Sequence, residues 1–182
     1  SLTTNLQAFY RLSDTTDSSG NSNTLTNNGS VSFSTGKIGN AATFSGSNKL
    51  SVGLTGFNNE FTFSCWVKRT STSGASTPFI MGVAGGPSLS YRASKLGGWY
   101  GSLFGASGDW ALNTWYHVAA TNDANGFKFY VNGSLEHSTS QKTIPSNPTV
   151  NFGGENGGEL IGQIDAAGVW TRALSDTEVG TL

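Results

Sequence analysis

The segment Gln163-Ile164-Asp165-Ala166-Ala167-Gly168-Val169-Trp170-Thr171-Arg172-Ala173-Leu174-Ser175-Asp176-Thr177-Glu178 runs a mostly apolar strand straight into a helix start. Strand alternation puts Ile164, Ala166 and Gly168 on one face and Asp165, Ala167 and Val169 on the other. Asp165 therefore stands mid-strand, where a buried carboxylate without a partner costs several kcal/mol, so something must hold it. Ser175 followed three residues later by Glu178 is a capping box and predicts a short helical turn over 175–180.

The rest of the chain reads as strands. Of 182 residues, 25 are Gly and only 12% are charged, with abundant Ser, Thr and Asn, which suits short strands joined by many turns. Periodicity predicts strands over 6–12, 30–33, 41–44, 48–52, 61–68, 78–83, 88–93, 98–103, 114–121, 126–132, 134–140, 149–153 and 160–171. Asn132-Gly133 is the signal of a type I′ hairpin, and Asp123-Ala124-Asn125-Gly126 makes a second tight connection. With almost no helix available, two sheets must bury each other, so the fold class expected is all-β, a two-sheet antiparallel jelly-roll sandwich with one short C-terminal helix. No repeat or linker divides the chain, and residues 1–182 are expected to form one domain.

Charge and apolar runs exclude several functions. A formal net charge of -1 leaves no electrostatic footprint for nucleic acid or an anionic membrane. No apolar run approaches the roughly 20 residues that span a bilayer, so no membrane insertion is expected. The chain opens on Ser1 without a signal-type segment, which suggests a domain excised from a larger protein. Cys65 is the only cysteine and alternates with Phe61, Phe63 and Val67, so it is expected to pack as a small buried hydrophobe.

Five segments, in order, resemble the laminin-G-like, concanavalin A-like jelly-roll domains. They are 6–21 with Asp17-Ser18-Ser19-Gly20-Asn21, then 36–44 (Gly36-Lys37-Ile38-Gly39-Asn40-Ala41-Ala42-Thr43-Phe44), and Phe61-Thr62-Phe63-Ser64-Cys65-Trp66-Val67-Lys68. The last two are Trp115-Tyr116-His117-Val118-Ala119 with Tyr130-Val131-Asn132-Gly133, and the closing segment quoted above. The resemblance implies that the first and last strands are neighbours and that Trp66, Trp115 and Trp170 occupy core positions. Ala166 stands where the family usually has Glu and Gly168 where Arg is frequent, so a role carried by those family side chains does not transfer.

The oxygen-rich loop Asp17-Ser18-Ser19-Gly20-Asn21-Ser22-Asn23 admits two readings from its residues: a calcium loop, because Ca²⁺ collects oxygens, or a turn in which side chains satisfy nearby amides. The resemblance implies the first, a structural calcium ion shared by Asp17, Asn21 and Asp165 that ties the chain's two ends together.

Catalytic signatures are lacking. Glu155 and Glu159 are the nearest thing to a carboxylate pair, but the glycines between them argue for solvated turn residues. His117, between Trp115 and Ala119 on one strand face, reads as a packed structural imidazole.

Aromatic residues remain in excess between Tyr91 and Trp110. Sugar rings offer apolar C–H faces and hydroxyl edges, so an aromatic beside polar side chains suits them. The candidate carbohydrate-binding residues are Trp99 and Tyr100, with Arg92, Asp109 and Asn156 as polar help. Two function classes follow. The first is a lectin-like, non-enzymatic module that binds a glycan or surface polysaccharide; the second is an adhesion or structural domain that contacts protein partners. The resemblance implies a location that is extracellular, on a cell surface or on a virion.

Overall fold

The computed structural model describes residues 1–73, 77–92, 95–100, 103–104, 110–155 and 157–182. Their strands are β1 (Leu6–Tyr10), β2 (Thr26–Asn28), β3 (Ser32–Thr35), β4 (Asn40–Ser45), β5 (Lys49–Gly53), β6 (Phe61–Arg69), β7 (Phe79–Val83) and β8 (Ser88–Arg92). There follow β9 (Lys95–Trp99), β10 (Leu103–Phe104), β11 (Trp115–Asp123), β12 (Gly126–Val131), β13 (Ser134–Thr139), β14 (Thr149–Phe152) and β15 (Ile161–Trp170), then helix α1 (Asp176–Val179). One sheet has the order β13-β12-β11-β6-β15-β4-β3, with β1 also on β15; the other has the order β10-β9-β8-β7-β14-β5-β2. Among the described residues every strand pairing is antiparallel, as a jelly-roll sandwich requires. Among the described residues, no helix is long and apolar enough to cross a membrane.

Alternation builds the interior. Phe61, Phe63, Cys65 and Val67 of β6 are fully buried and meet Leu50, Met81, Leu89 and Phe152 from the second sheet in one core. The buried Cys65 thiol is pushed up by desolvation, with the Asp165 charge adding to the effect. A smaller cluster of Ala119, Tyr130, Trp170, Leu174 and Val179 forms on the first sheet's other face, where α1 packs. The capping box is present: Ser175 Oγ accepts from Glu178 N, and the Glu178 carboxylate accepts from Ser175 N. Arg172 donates to both Glu178 oxygens at 2.8 Å, and this pairing, helped by the Ser175 amide, holds the Glu178 carboxyl down at about 2. Because that pKa is depressed, the stabilisation is present above the ordinary carboxylate range and lost as pH falls through about 2. Resonances of α1 followed by NMR between pH 5 and 2 are expected to detach from the sheet over that window, and Arg172→Met is expected to detach them at pH 7.

Three sequence expectations need correction. A strand expected at 30–33 is two, β2 and β3, separated by a turn in which Ser30 takes φ 61° and Asn27 exchanges two hydrogen bonds with the Val31 backbone. The strand expected at 98–103 is instead divided between β9 and β10: β9 begins at Lys95, because Arg92 and Lys95 pair at the end of a hairpin, and ends at Trp99, opposite which Leu103 of β10 pairs back. The third concerns the quoted segment itself. Simple alternation fails in β15, where Asp165 pairs with Trp66 and Gly168 with Ser64, leaving Ala166 and Ala167 opposite the single residue Cys65. This is a β-bulge, and it turns Ala167 and Val169 into the core on the same side as Ile164. It also lies where β15 exchanges neighbours, from β4 at 161–164 to β1 at 167–170.

Ala166 takes φ 45° at the bulge. A left-handed conformation costs a residue with a Cβ roughly 1 to 2 kcal/mol, and glycine's greater unfolded-state entropy offsets part of that. Ala166→Gly is expected to raise unfolding stability by up to about 1 kcal/mol in urea denaturation.

Candidate functional site

One register row crosses the second sheet: Thr26 pairs with Ser51, Ser51 with Asn151, Asn151 with Gly82, Gly82 with Ser88 and Ser88 with Trp99. Residues directly opposite each other share a face. The row's neighbours in sequence, Leu50, Val150, Phe152 and Leu89, belong to the core, so this row lies on the face turned away from it. Phe79, Ser90 and Gly97 form the next row on that same outer face. Ser88, Ser90 and Asn151 are nevertheless buried. Gly82 has to be glycine, since a Cβ there would lie 2.4 Å from Ser88 Cα. The outcome is a floor of small residues with polar side chains and Trp99, half-buried, at one side.

The side chain of Asn151 holds the middle. Its Nδ2 donates to Glu155 Oε2, while its Oδ1 is buried and has no donor. Lys49 Nζ lies 4.0 Å from the same Glu155 oxygen. Beyond Asn151 the face opens into a pocket of about 290 Å³ lined by Asn28, Ser47, Asn48, Lys49, Glu155 and Glu159. Glu155 and Glu159 thus face one pocket, although each carboxylate is engaged, Glu155 with Asn151 and Lys49 and Glu159 with the Gly157 amide.

The sequence-predicted residues fall out differently. Trp99 is on this face, whereas Tyr100, just beyond the strand, is the more exposed ring at 41% and lies under Lys142 Nζ at 5.7 Å from its centroid. Arg92 closes β8, but its side chain, together with Asp109 and Asn156, is outside the described residues. Trp110 is buried against Tyr91 in the core. Two expected core rings are not core: Trp66 is half-buried on the first sheet's outer face beneath Lys37 Nζ, and Trp115 beneath Lys68 Nζ. They share the outward phase of β6 and β11 that the helix leaves uncovered. Trp170 is buried, in the smaller cluster. His117 is the packed imidazole expected, 2.8 Å from Ser64 Oγ through Nε2, and burial lowers its pKa to about 4.

Asp17 and Asp165 hold separate structures. Asp17 takes four donors, from Phe9 N, Ser19 N, Ser19 Oγ and Asn23 N. Burial pushes its carboxyl up, but the amides of Ser19, Phe9 and Asn23 and the Ser19 hydroxyl outweigh that and hold it below the usual range. Asn21 directs its amide to the Leu6 and Gln7 carbonyls, which pins the loop to β1. Asp165 Oδ2 accepts from Lys37 N and Ile38 N, both at 2.8 Å, and closes the gap between β1 and β4. Gly36 makes room for it, since a Cβ there would sit 2.6 Å from that oxygen. Of the Asp17 and Asp165 carboxylate oxygens, Asp165 Oδ1 alone is buried without a partner, against the roughly six to eight oxygens a calcium ion collects. Among the described residues no group of three or more His, Cys, Asp or Glu could hold a metal ion. The shared calcium ion does not fit this donor set, and both carboxylates act as amide clamps. EDTA is expected to leave the melting temperature unchanged; a chelator-dependent drop that Asp165→Ala abolishes would contradict this.

The sequence model of the concanavalin A-like lectin/glucanases superfamily matches residues 44–180. The chain belongs to that superfamily. Comparison with curated proteins finds no match. Among solved structures, this superfamily member is similar to domain 4 of AbnA, an extracellular arabinanase from Geobacillus stearothermophilus in complex with arabinotriose, with TM-score 0.75, 24% identity and 97% of each chain covered. It is also similar to the receptor-binding domain of the botulinum neurotoxin C/D mosaic serotype, with TM-score 0.77, 18% identity and 98% of this chain on 51% of that one. A third is the binding domain of botulinum neurotoxin DC in complex with rat synaptotagmin II, with TM-score 0.74, 16% identity and 100% of this chain on 51% of that one. The chain thus spans about half the length of the toxin domains. At these identities the likeness is one of fold.

Sequence reasoning missed Ser88, Ser90 and Asn151. Their place in the superfamily sandwich follows from β14 inserting between β5 and β7, a long-range pairing with no local signal.

Proposed function

We propose that this chain is a non-catalytic glycan-binding module whose ligand lies across the outer face of the second sheet. The observation that carries this reading is Asn151 Oδ1, a buried acceptor without a donor, set in register between Ser51 and the Ser88–Trp99 pair. A buried acceptor left empty costs about 1 to 3 kcal/mol, and a sugar hydroxyl supplies the missing donor. Trp99 offers the apolar C–H face of a sugar ring its stacking surface, while Lys49 and the pocket beside Glu155 and Glu159 take hydroxyls further along. Both glutamates are tied by hydrogen bonds, which favours binding over acid–base chemistry. The arabinotriose held by the AbnA domain supports a saccharide as the class of ligand. Such a module would work outside the cytoplasm, on a larger extracellular, cell-surface or virion protein.

A shallow face competes with water for every hydroxyl, so affinity is expected at a Kd of roughly 10 μM to 1 mM. A glycan array followed by titration calorimetry tests the reading. Trp99→Ala and Asn151→Ala are each expected to weaken binding at least about tenfold, the loss of one stacking or charge-neutral hydrogen-bonding contact in a desolvated site. Undiminished binding in both variants would move the site elsewhere. The protein-contact reading rests on Trp66 and Trp115, half-buried on the opposite sheet, and gains if no glycan binds while Trp66→Ala abolishes capture of a protein partner.

A further inference from the structure

The pocket of about 290 Å³ on the outer face is lined by two carboxylates, Glu155 and Glu159, and one ammonium, Lys49. Lys49 lies two residues along β5 from Ser51 and pairs with Asn28, so both share the outward phase of the row that runs to Asn151 and Trp99. The pocket and Trp99 therefore open on one side of one sheet. A Cβ placed on Gly154 would lie 3.2 Å from Glu159 Cγ and 3.4 Å from Lys49 Cβ, which sets those two side chains next to each other. Lys49 Nζ in turn lies 4.0 Å from Glu155 Oε2, with the lysine side chain 40% exposed and the glutamate 15%. Among the described residues no other cation pairs with Glu155 and none pairs with Glu159. The hydrogen bonds around the pocket leave acceptors over. Asn28 gives its Nδ2 to Ser51 Oγ at 2.9 Å and to Thr26 O at 3.2 Å, which leaves its Oδ1 for the pocket. Asn151, 2% exposed, gives its Nδ2 to Glu155 Oε2, which fixes that carboxylate and leaves the buried Asn151 Oδ1 empty beside it.

One loose ammonium thus stands between two carboxylates, and the pocket keeps an excess negative charge. An ion pair with an exposed lysine 4.0 Å away contributes little, so Glu155 retains most of its capacity for a better placed cation. A ligand ammonium donates three hydrogen bonds, and charge-assisted ones to a carboxylate are about twice as strong as neutral ones. We infer that this pocket selects an amino sugar, whose free ammonium is held between Glu155 and Glu159 with Asn28 Oδ1 as a third acceptor. At about 4.8 Å per strand, Trp99 lies three strands and about 14 Å across the sheet from Asn151, and one strand more from Lys49. A short oligosaccharide lying across the strands can therefore place one ring on Trp99 and its amino-bearing residue in the pocket. The inference rests on the glycan-binding reading and narrows it to cationic sugars: Trp99 holds a ring face, and the glutamates select the charge.

Calorimetric titration with the trisaccharide of glucosamine and with its N-acetylated counterpart tests this, in a mildly acidic buffer that keeps the amines protonated, because acetylation keeps the rings and removes the charge. The wild type is expected to bind the amine form at least about tenfold more tightly, as a charge-assisted hydrogen-bond pair provides, and the margin is expected to shrink in high salt. Glu155→Gln and Glu159→Gln are each expected to reduce that ratio. Lys49→Met, which removes the competing ammonium, is expected to widen it, a change that damage to the fold does not produce. Melting curves establish that each variant folds, and Lys49→Met carries the test if a glutamine variant does not. Equal affinity for the two forms, a ratio that both glutamine variants leave unchanged, or a ratio that Lys49→Met lowers overturns the inference. Binding of neither trisaccharide, while another glycan on the array binds through Trp99, overturns it and leaves the glycan reading in place. Failure of every glycan to bind overturns both.

Discussion

Gly153→Ala is expected to lower unfolding stability by about 3 kcal/mol or more, a large loss for the addition of one methyl group. Two costs add. Gly153 holds φ 75°, where a Cβ costs roughly 1 to 2 kcal/mol, and the added carbon would sit 2.1 Å from the Phe44 ring, an overlap of the kind that costs about 1 to 3 kcal/mol in a packed core. Phe44 is buried at 2% and packs in the main core, so it has little freedom to retreat. The substitution also disturbs the glycan face. Gly153 N donates to Ile80 O and its carbonyl accepts from Leu160 N, which fixes both ends of the loop carrying Glu155 and Glu159. Urea denaturation gives the stability change, and a loss under about 1 kcal/mol would mean that Phe44 moves more freely than its packing implies.

Acidification is expected to produce the second large effect. His117 is buried, and desolvation lowers its pKa to about 4 from the ordinary 6.5. The group is a base with a depressed folded pKa, so between pH 6.5 and 4 the unfolded chain binds a proton that the native state refuses. The His117 contribution to stability therefore falls as pH drops through that window, by about 3 kcal/mol in all, and is spent below it. His117→Gln, which can still reach Ser64 Oγ, is expected to flatten the curve between pH 6.5 and 4. A wild-type curve already flat there would show that the imidazole titrates normally.

Legibility in the sequence followed the range of the interaction that decides each feature. The hairpin at Asn132-Gly133 and the capping box at Ser175 and Glu178 are set by neighbours within four residues, and the structure has both, with Asn132 and Gly133 at φ 49° and 77°. Pairing of β1 with β15 was readable only through resemblance, since no local pattern joins segments so far apart in the chain. The bulge at Ala166 escaped because one extra residue leaves no mark on composition, yet it reverses which side chains enter the core. Trp66 and Trp115 were misplaced for a related reason: alternation assigns them a common face, but whether anything covers that face depends on where α1 and the termini pack. Trp99 could be nominated from its glycine-rich surroundings. Asn151, its partner across three strands, could not, because register across non-consecutive strands is set by the whole sheet.

The outer face of the second sheet, rather than that of the first, is expected to receive a saccharide. Titration of ¹⁵N-labelled protein with the strongest-binding oligosaccharide, followed through the side-chain N–H resonances, tests this most directly. The indole signal of Trp99 and the carboxamide signal of Asn151 are expected to shift in a saturable, concentration-dependent manner while those of Trp66 and Trp115 stay in place. Shifts confined to Trp66 and Trp115, with Trp99 and Asn151 unmoved at saturation, would place the binding face on the first sheet instead.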